Sequence, residues 1–382
     1  MIKIAHIFDD AIITNATVEL FNKISGFDQS FYVLKNTANS KFEEGQKRNE
    51  LIKIIPLNDY SEAIKRVILE NDVIYFQALS YEKAKALQAT KFSKKVFIWG
   101  LWGYELYNLA AYYNSSESEF ATNISEKKSL KKKLIDFYTF KVVYPKAIKK
   151  IDFTFFFLKH DFELLNQSVK HHALLHQGCY QTIENLFSKD NVLVSKGNNI
   201  LIGNSSTPSI RHEFVFEKLK NFELNNRKVI VPLSYGDTVY RKNISVYAKN
   251  IFGANFEGLV DYMNLSEYTK ILETCSVAIM AHKRQQAFGT ILMLVYGGLR
   301  VFLSEESPFY DWFKSNGIVL FSIENELTDE NLASLSHEIA DKNRQALQQI
   351  LSEEKTLENL TSLLKSAVNL YYKRNGKNIS TN

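Results

Sequence analysis

Cysteine and proline are scarce in this sequence, whose 382 residues include two Cys and five Pro. Cys179 and Cys275 lack zinc-site spacing, so we expect two buried, reduced thiols, the alternative being one disulfide between them. No apolar run reaches about 18 residues, so no segment is long enough to span a bilayer. The first residues, MIKIAHIF, are typical of a strand and not of a signal peptide. These absences predict a soluble, cytoplasmic protein.

A linker rich in Pro, Gly or Ser is also missing, although the chain exceeds the usual size of one hydrophobic core. Apolar residues make up 45% and charged residues 23% of the composition, which is typical of globular proteins. Long disordered stretches are therefore excluded. We expect two domains whose boundary no linker marks.

Short apolar runs alternate with helical patterns along the whole chain, which predicts βαβ units with parallel strands. The predicted strands are 3–8, 31–34, 52–55, 73–76, 96–99 and 153–158 in the first half, and 199–203, 228–233, 277–281, 300–303 and 318–321 in the second. This pattern favours an α/β fold of two Rossmann-like, doubly wound domains, residues 1–185 and 186–382. An amphipathic pattern from about 343 to 372 predicts a closing helix of the second domain.

Ligands of open α/β sheets bind at the carboxyl ends of the strands, so the residues that follow each strand are the candidates for a site. A cleft between two such domains suits a transfer between two substrates, one bound by each domain. Polar and small residues at the strand ends of both halves are therefore the candidates for the two substrate sites.

Three segments that follow strands of the second half are candidates for binding an anionic substrate. Small residues in 200–214 (ILIGNSSTPSIRHEF) lead into a helix and suit a phosphate, although a plain strand–turn–helix connection has the same composition. The segment 231–236 (VPLSYG) places a Tyr in a small-residue turn. In 281–290 (AHKRQQAFGT), Lys and Arg suit a diphosphate and two Gln suit a base or sugar, the alternative being a solvated loop. The candidate residues are Gly203, Asn204, Ser205, Ser206, Tyr235, Gly236, Arg284, Gln285, Gln286, Gly289 and Thr290.

A fourth segment of the second half, 304–310 (SEESPFY), follows a strand with two acidic residues. Glu305 or Glu306 could accept hydrogen bonds from ribose or sugar hydroxyls. An acid at the start of a helix is the equally simple alternative.

Two segments of the first half offer carboxylates beside aromatic residues. In HIFDD (6–10), His6 and the carboxylates of Asp9 and Asp10 lie near the end of the first strand, where a carboxylate could serve as a general base or cap a helix. In WGLWGYELYN (99–108), Trp102 and Tyr104 form either a ligand-facing wall or part of the core. Glu105 in the same segment is a second candidate base.

Nine lysines against two acids, Glu126 and Asp136, make residues 126–150 the most basic stretch of the chain. Apolar residues stand among these lysines at helical spacing, which favours a helix lying on an anionic membrane surface. A solvated helix face is the alternative. Nucleic acid is not an expected partner, because no nucleic-acid-binding motif is present.

Taken in order, the strings GNSSTPS–RH, VPLSYG, LSEY–ILETC, RQQAFGT and SEESPF resemble those of glycosyltransferase family 56, the 4-acetamido-4,6-dideoxygalactosyltransferases. The pattern of His6, Asp10 and Asn15, the WGYELY segment and YPKAIKKIDFTFF are also similar to that family, so the resemblance covers nearly the full chain. Where the family motif has an Asp before LY, this chain has Glu105. The loop before Asn15 is one residue shorter than in the family and lacks its paired histidines.

The resemblance implies a GT-B fold and an inverting transfer of a deoxyamino sugar, N-acetylfucosamine, from a TDP-sugar to a polyprenyl-diphosphate-linked saccharide in surface polysaccharide synthesis. It implies no metal or other cofactor. The donor side would comprise the residues of the second half named above, and Glu306. The acceptor side would include Asp10 or Glu105 as the catalytic base, with His6, Asn15, Trp102 and Tyr104 as binding residues. We expect a peripheral protein on the inner face of the cell membrane. The alternatives are another nucleotide-sugar with a soluble glycan or protein acceptor, and a non-catalytic sugar- or lipid-binding partner.

Overall fold

The computed structural model describes residues 1–11, 13–35, 49–55, 60–89, 94–113, 129–187 and 193–376. The chain forms two compact units. The first unit contains Met1–Ser118, Ser125–Gln181 and the segment that begins at Glu353, and the second contains Thr182–Ser352. Each unit is an α/β structure in which helices connect parallel strands.

The sheet of the first unit has seven parallel strands within the described ranges, in the order β3-β2-β1-β4-β5-β6-β7. The strands are β1 (Lys3–Asp9), β2 (Asp28–Leu34), β3 (Ile52–Ile55), β4 (Val73–Gln77), β5 (Val96–Gly100), β6 (Phe153–Phe156) and β7 (Leu174–Gln177). All residues of β4 and β5 are buried, as expected for strands that helices cover on both faces.

The helices of the first unit lie between its strands, except that no described helix separates β2 from β3 and that α4, α5 and α6 all lie between β5 and β6. They are α1 (Thr14–Asn22), α2 (Tyr60–Glu70), α3 (Tyr81–Gln88), α4 (Tyr104–Tyr113), α5 (Leu130–Tyr138), α6 (Tyr144–Ile148) and α7 (Lys159–Ser168). A π-helical turn, Thr139–Val143, joins α5 to α6 without a break.

The last helix, α15 (Glu353–Arg374), also belongs to the first unit and not, as we expected, to the second. Leu360 and Leu364 are fully buried in the same cluster as Ile4 and Ile98 of the first sheet. Near its end, Arg374 donates to Asp152 at 2.9 Å (Nη1 to Oδ2) and to the Lys95 carbonyl at 2.7 Å. The predicted single helix over 343–372 is in fact two helices, since the chain leaves the helical conformation at Ser352.

The second unit has six parallel strands within the described ranges, in the order β10-β9-β8-β11-β12-β13. The strands are β8 (Asn199–Ile202), β9 (Val229–Pro232), β10 (Phe256–Leu259), β11 (Cys275–Met280), β12 (Arg300–Leu303) and β13 (Phe321–Ser322). Its helices are α8 (Ile183–Leu186), α9 (His212–Leu219), α10 (Thr238–Phe252), α11 (Leu265–Glu273), α12 (Phe288–Tyr296), α13 (Pro308–Ser315) and α14 (His337–Leu351). The predicted two-domain α/β architecture is therefore confirmed, while the boundary at the C-terminus is corrected.

Both cysteines are buried free thiols, as predicted. Among the described helices, none combines the length and hydrophobicity that a membrane crossing requires.

Candidate active site

The three predicted donor segments follow neighbouring strands of the second sheet. Strand β8 lies between β9 and β11, and all three run in the same direction. Because parallel strands end at the same edge of a sheet, the loops after residues 202, 232 and 280 meet there. The sequence alone could place each loop after a strand but could not show that these strands are adjacent.

The first two loops are held together by backbone pairing. The Ser206 amide donates to the Tyr235 carbonyl at 2.8 Å, and the Asp237 amide donates to the Ser206 carbonyl at 2.9 Å. Gly236 has φ +119°, and a β-carbon there would lie 2.6 Å from the Ser206 carbonyl oxygen. Only glycine therefore allows this close approach. The side-chain amide of Asn204 (Nδ2) also donates to the Tyr235 hydroxyl at 2.8 Å, which holds the Tyr235 ring against the first loop.

Gly203 begins the first loop for a similar reason. It has φ +68°, and a β-carbon at this position would lie 2.4 Å from Ile210 Cγ2 and 3.0 Å from His212 Nε2. The turn brings Asn204, Ser205 and the residues after them back over the start of α9. The small residues noted in the sequence therefore serve a tight turn, and Asn204, Ser205 and Ser206 are buried within it.

Gln286 links the first loop to the third. Its Oε1 accepts from Ser209 Oγ at 2.8 Å and from Arg284 Nε at 3.0 Å. Its Nε2 donates to Thr207 Oγ1 at 3.2 Å. Gln286 was predicted to bind ligand, and within this structure its Oε1 also holds the buried side chain of Arg284.

Helix α12 begins directly after this loop. Its N-cap, Ala287, is left-handed (φ +60°), and Gly289 and Thr290 lie in the first turn. The amide groups of a first helical turn lack acceptors within the helix, so they attract anions. Arg284 precedes the helix by four residues, and Gln285 is half-buried beside it. The third loop thus brings a cation and a helix N-terminus into one short stretch.

Sequence reasoning gave little weight to His282, which the structure buries completely beside Arg284. Burial, aided by the nearby Arg284 charge, lowers the pKa of His282 to about 3, so the ring is neutral at physiological pH. Glu306, predicted to bind donor hydroxyls, instead pairs with Lys283 at 2.8 Å (Nζ to Oε1). Its side chain is more than half exposed, so this pair is easily exchanged for another partner.

In the first unit, Glu105 is the most constrained of the predicted acceptor-side residues. Its side chain is buried, and Oε1 accepts from Trp99 Nε1 at 3.1 Å, from the Trp102 amide at 3.1 Å and from the Leu79 amide at 3.4 Å. Oε2 receives no hydrogen bond from any described residue. Burial raises the pKa of Glu105, and the hydrogen bonds oppose this in part. A carboxylate of raised pKa is suited to accept a proton.

An ion pair beside Glu105, between a buried lysine and a partly exposed aspartate, was not predicted. Lys83 is fully buried and contacts Asp9 at 2.9 Å (Nζ to Oδ1), and it also donates to the Gln77 carbonyl at 2.6 Å. Burial lowers the pKa of Lys83, against the attraction of Asp9. Asp9 further accepts from the Tyr104 hydroxyl at 3.4 Å. Asp9 is thus engaged by a cation, whereas Asp10, half-buried, follows the end of β1.

Two of the predicted acceptor-side residues have other roles. His6 lies within β1 and is fully buried, with its ring 4.3 Å from that of Phe21 and Nε2 2.9 Å from Gln29 Oε1. The alternation of side chains along the strand directs it into the core, which removes it from the acceptor site. Asn15 lies on α1 and accepts from the Asn49 amide at 3.4 Å, a contact that ties a loop to this helix.

The basic stretch forms α5, the π-helical turn and α6 over its described part, and Lys127 and Lys128 lie outside the described residues. Five large apolar side chains of α5 are exposed: Leu130, Leu134, Ile135, Phe137 and Tyr138. The lysines at 131, 132 and 133 are exposed as well. A helix with this much exposed apolar surface is unusual in a soluble monomer.

Comparison with known proteins agrees with this architecture. HepE of Anabaena, solved with UDP and glucose, is 10% identical with a TM-score of 0.65, over 96% of this chain and 100% of that chain. Sucrose-phosphate synthase of Thermosynechococcus elongatus is 11% identical with a TM-score of 0.62 (97% and 100%). A glycosyltransferase of Rickettsia africae is 13% identical with a TM-score of 0.59 (96% and 98%). The two units of this chain therefore form the GT-B fold, as predicted.

The family follows from the sequence itself. The profile of the 4-alpha-L-fucosyltransferases, glycosyl transferase group 56, matches residues 121–359, which is more than half of the chain. The protein is a glycosyltransferase, and it belongs to family 56. This confirms the resemblance found in the ordered motifs.

Proposed function

We propose that this glycosyltransferase transfers a deoxyamino sugar, N-acetylfucosamine, from a TDP-sugar to a polyprenyl-diphosphate-linked saccharide with inversion at the anomeric carbon. The observation that mainly supports a lipid-linked acceptor is the exposed apolar and basic surface of α5. The family of 4-alpha-L-fucosyltransferases supports a 6-deoxy sugar as the transferred group. In this proposal the protein acts at the cytoplasmic face of the cell membrane in surface polysaccharide synthesis.

The donor diphosphate is bound, in this proposal, by Arg284 and by the amide groups at the start of α12. These groups supply positive charge where the leaving diphosphate develops negative charge, and they do so without a metal ion. Gln286 holds the guanidinium of Arg284 in place, so less side-chain entropy is lost when the diphosphate binds. In the same proposal Gln285 and Tyr235 supply polar contacts to the base and the sugar.

A thermal-shift series with TDP, UDP, GDP and CMP tests the donor. TDP is expected to raise the melting temperature most, and Arg284→Ala is expected to abolish the shift. The solved HepE structure contains UDP, which makes a UDP-sugar the second candidate donor. A larger shift with UDP than with TDP would favour that candidate and refute the TDP assignment.

The acceptor side depends on α5. Leu130, Leu134 and Phe137 are 80%, 70% and 54% exposed, and the neighbouring lysines 131–133 carry three positive charges. Apolar side chains that enter the headgroup region beside lysines bind anionic membranes. Each lysine near such a surface contributes about 1 kcal/mol, so the three together contribute about 3 kcal/mol, or about 100-fold in affinity.

Vesicle co-sedimentation tests this surface with phosphatidylglycerol-containing liposomes. Replacing lysines 131–133 by Ala is expected to weaken binding about 100-fold. A matched control replaces three exposed lysines elsewhere, Lys159, Lys342 and Lys355, which removes the same charge. Equal binding by wild type and the 131–133 variant, or equal losses in both triple variants, would refute a membrane role for α5.

An inverting transfer needs a base that removes the proton of the acceptor hydroxyl. Glu105 and Asp10 remain the two candidates, and Glu105 is favoured because it is buried at the wall of a cavity and its pKa is raised. We expect Glu105→Gln to lower kcat by about 100-fold or more while leaving the KM of the donor unchanged. Full activity in this variant would show that Glu105 is not the base and would leave Asp10 as the candidate.

A further inference from the structure

The first unit contains a cavity of about 560 Å³ between the start of α4 and the continuous segment of α5, the π-helical turn and α6. Its volume lies within the range of about 300–1,000 Å³ that small-molecule sites occupy. One side is formed by residues after β4 and β5, and the other by the α5 segment and the π-helical turn. The cavity therefore lies at the sheet edge where α/β proteins bind ligands.

Aromatic rings form much of the wall. Tyr81 and Tyr104 line one side, and Phe140 and Tyr144 line the other, with the last two stacked at 5.7 Å between ring centroids and 12° between planes. The apolar face of a sugar ring can pack on such surfaces. A sugar also needs polar contacts for its hydroxyls, and sites of this kind combine both.

The charged groups of the wall indicate which ligands do not fit. Two carboxylates, Glu105 and Asp136, face one cation, Lys132, whose Nζ already lies 3.4 Å from Asp136 Oδ1. A nucleotide or a free diphosphate would meet a net negative wall, which disfavours anion binding. The unbonded Oε2 of buried Glu105 instead offers an acceptor for a hydroxyl or amide donor.

The π-helical turn explains how two consecutive residues reach the cavity. Thr139 and Phe140 both line it, and both belong to the turn Thr139–Val143. A π-helical turn holds more residues than an α-helical one, and such turns occur often at functional sites. Ile135, which is also part of the wall, is 48% exposed and belongs to the apolar surface of α5.

We propose that this cavity binds the terminal sugar of the acceptor, with its ring against the aromatic walls and a hydroxyl donated to Glu105 Oε2. The proposal rests on the proposed function, since it assigns one part of the acceptor to a site. The α5 segment then has two roles: it contacts the membrane and also forms part of the sugar pocket, with Lys132 and Ile135 belonging to both surfaces. A lipid-linked saccharide is thereby received next to the surface that carries it.

Two substitutions on neighbouring residues of α5 test the pocket. Ile135→Trp adds a large ring at the cavity wall, whereas Leu134→Trp makes a matched change at a residue that is 70% exposed and outside the wall. Rates are measured in detergent with a short-chain polyprenyl-diphosphate saccharide, so that membrane binding does not contribute. Ile135→Trp is expected to raise the acceptor KM about tenfold, without changing the donor KM, and Leu134→Trp to change neither.

A second variant removes part of the wall. Phe140→Ala is expected to raise the acceptor KM as well, because the stacked surface is lost. An unchanged acceptor KM in Ile135→Trp and Phe140→Ala, or an equal rise in the donor KM, would overturn the pocket assignment. If wild type transfers no sugar to this acceptor, the proposed function fails instead. Saturation-transfer NMR with methyl glycosides then tests the pocket directly, and signals equally strong in wild type and Ile135→Trp would refute it.

Discussion

Truncation of Glu105 separates its structural role from its chemical role. Glu105→Ala leaves three donors, Leu79 N, Trp99 Nε1 and Trp102 N, without the acceptor that now holds them. Glu105→Gln keeps Oε1 for all three, removes the charge and replaces Oε2 with an amide donor. The two variants therefore differ in hydrogen bonding at the same position.

The cost of the truncation follows from the three bonds. A buried donor left without a partner costs about 1–3 kcal/mol, so three donors give about 3–9 kcal/mol before any relaxation. Because the site borders a cavity that water can enter, we expect the lower end, about 3–4 kcal/mol. For Glu105→Gln we expect about 1 kcal/mol or less at acidic pH.

Urea unfolding followed by tryptophan fluorescence measures this cost. Trp99 and Trp102 lie in the first unit, and Trp312 lies in the second, so a Trp312→Phe background makes the signal specific to the first unit. Equal free energies of unfolding for the Ala and Gln variants would refute the role of Glu105 Oε1 as a shared acceptor.

The same pair of proteins tests the pKa of Glu105. Burial raises this pKa in the folded state, so the folded protein binds the proton more tightly than the unfolded chain. The resulting stabilisation is complete below the unfolded pKa and is lost as the pH rises through the folded pKa. Gln mimics the protonated form, so the stability of Glu105→Gln relative to wild type should increase between pH 4.5 and pH 8. A difference that does not vary with pH would contradict the burial argument.

Three further predictions concern other residues. Gln286→Ala should weaken nucleotide binding about tenfold in calorimetry, because Arg284 loses the bond that orients it, and unchanged binding would make Gln286 dispensable. Gly236→Ala should lower the free energy of unfolding of the second unit by about 1–3 kcal/mol in urea. The control is Gly317→Ala, which also has positive φ but has no neighbour within 4 Å of the added carbon and should cost less. Equal losses in the two variants would show that backbone strain alone matters. Lys83→Met should lower the free energy of unfolding of the first unit by about 3 kcal/mol, and adding Asp9→Asn should restore part of this free energy. Additive losses in the double variant would exclude a coupled ion pair.

The interior strands were predictable from the sequence because both of their faces are buried. Val73–Gln77 and Val96–Gly100 each extend the predicted strand by one residue, since continuous apolar runs mark them. The edge strand Ile52–Ile55 also matches its predicted bounds, although two of its four residues are exposed. Two edge strands were missed: Leu174–Gln177 is partly exposed, and Phe256–Leu259 contains a Glu and a Gly. An edge strand faces solvent and need not carry a continuous apolar run.

The features of the site that depend on local sequence were predictable, whereas contacts between residues far apart in the sequence were not. The turns at Gly203 and Gly236 follow from small residues after strands, and both have positive φ. The Lys83–Asp9 pair joins residues 74 positions apart, and no local pattern indicates it. The amphipathic pattern at the C-terminus predicted apolar faces, but could not show that α15 packs on the first sheet.

Sugar transfer into the lipid fraction tests the central claim most directly. Wild type is incubated with a radiolabelled TDP-deoxyamino sugar and bacterial membranes, and label is counted in the organic and aqueous phases, with Arg284→Ala as the control. Label is expected to move into the organic phase with wild type and not with Arg284→Ala. Label that stays in the aqueous phase, or that is transferred only from a UDP-sugar, would contradict it.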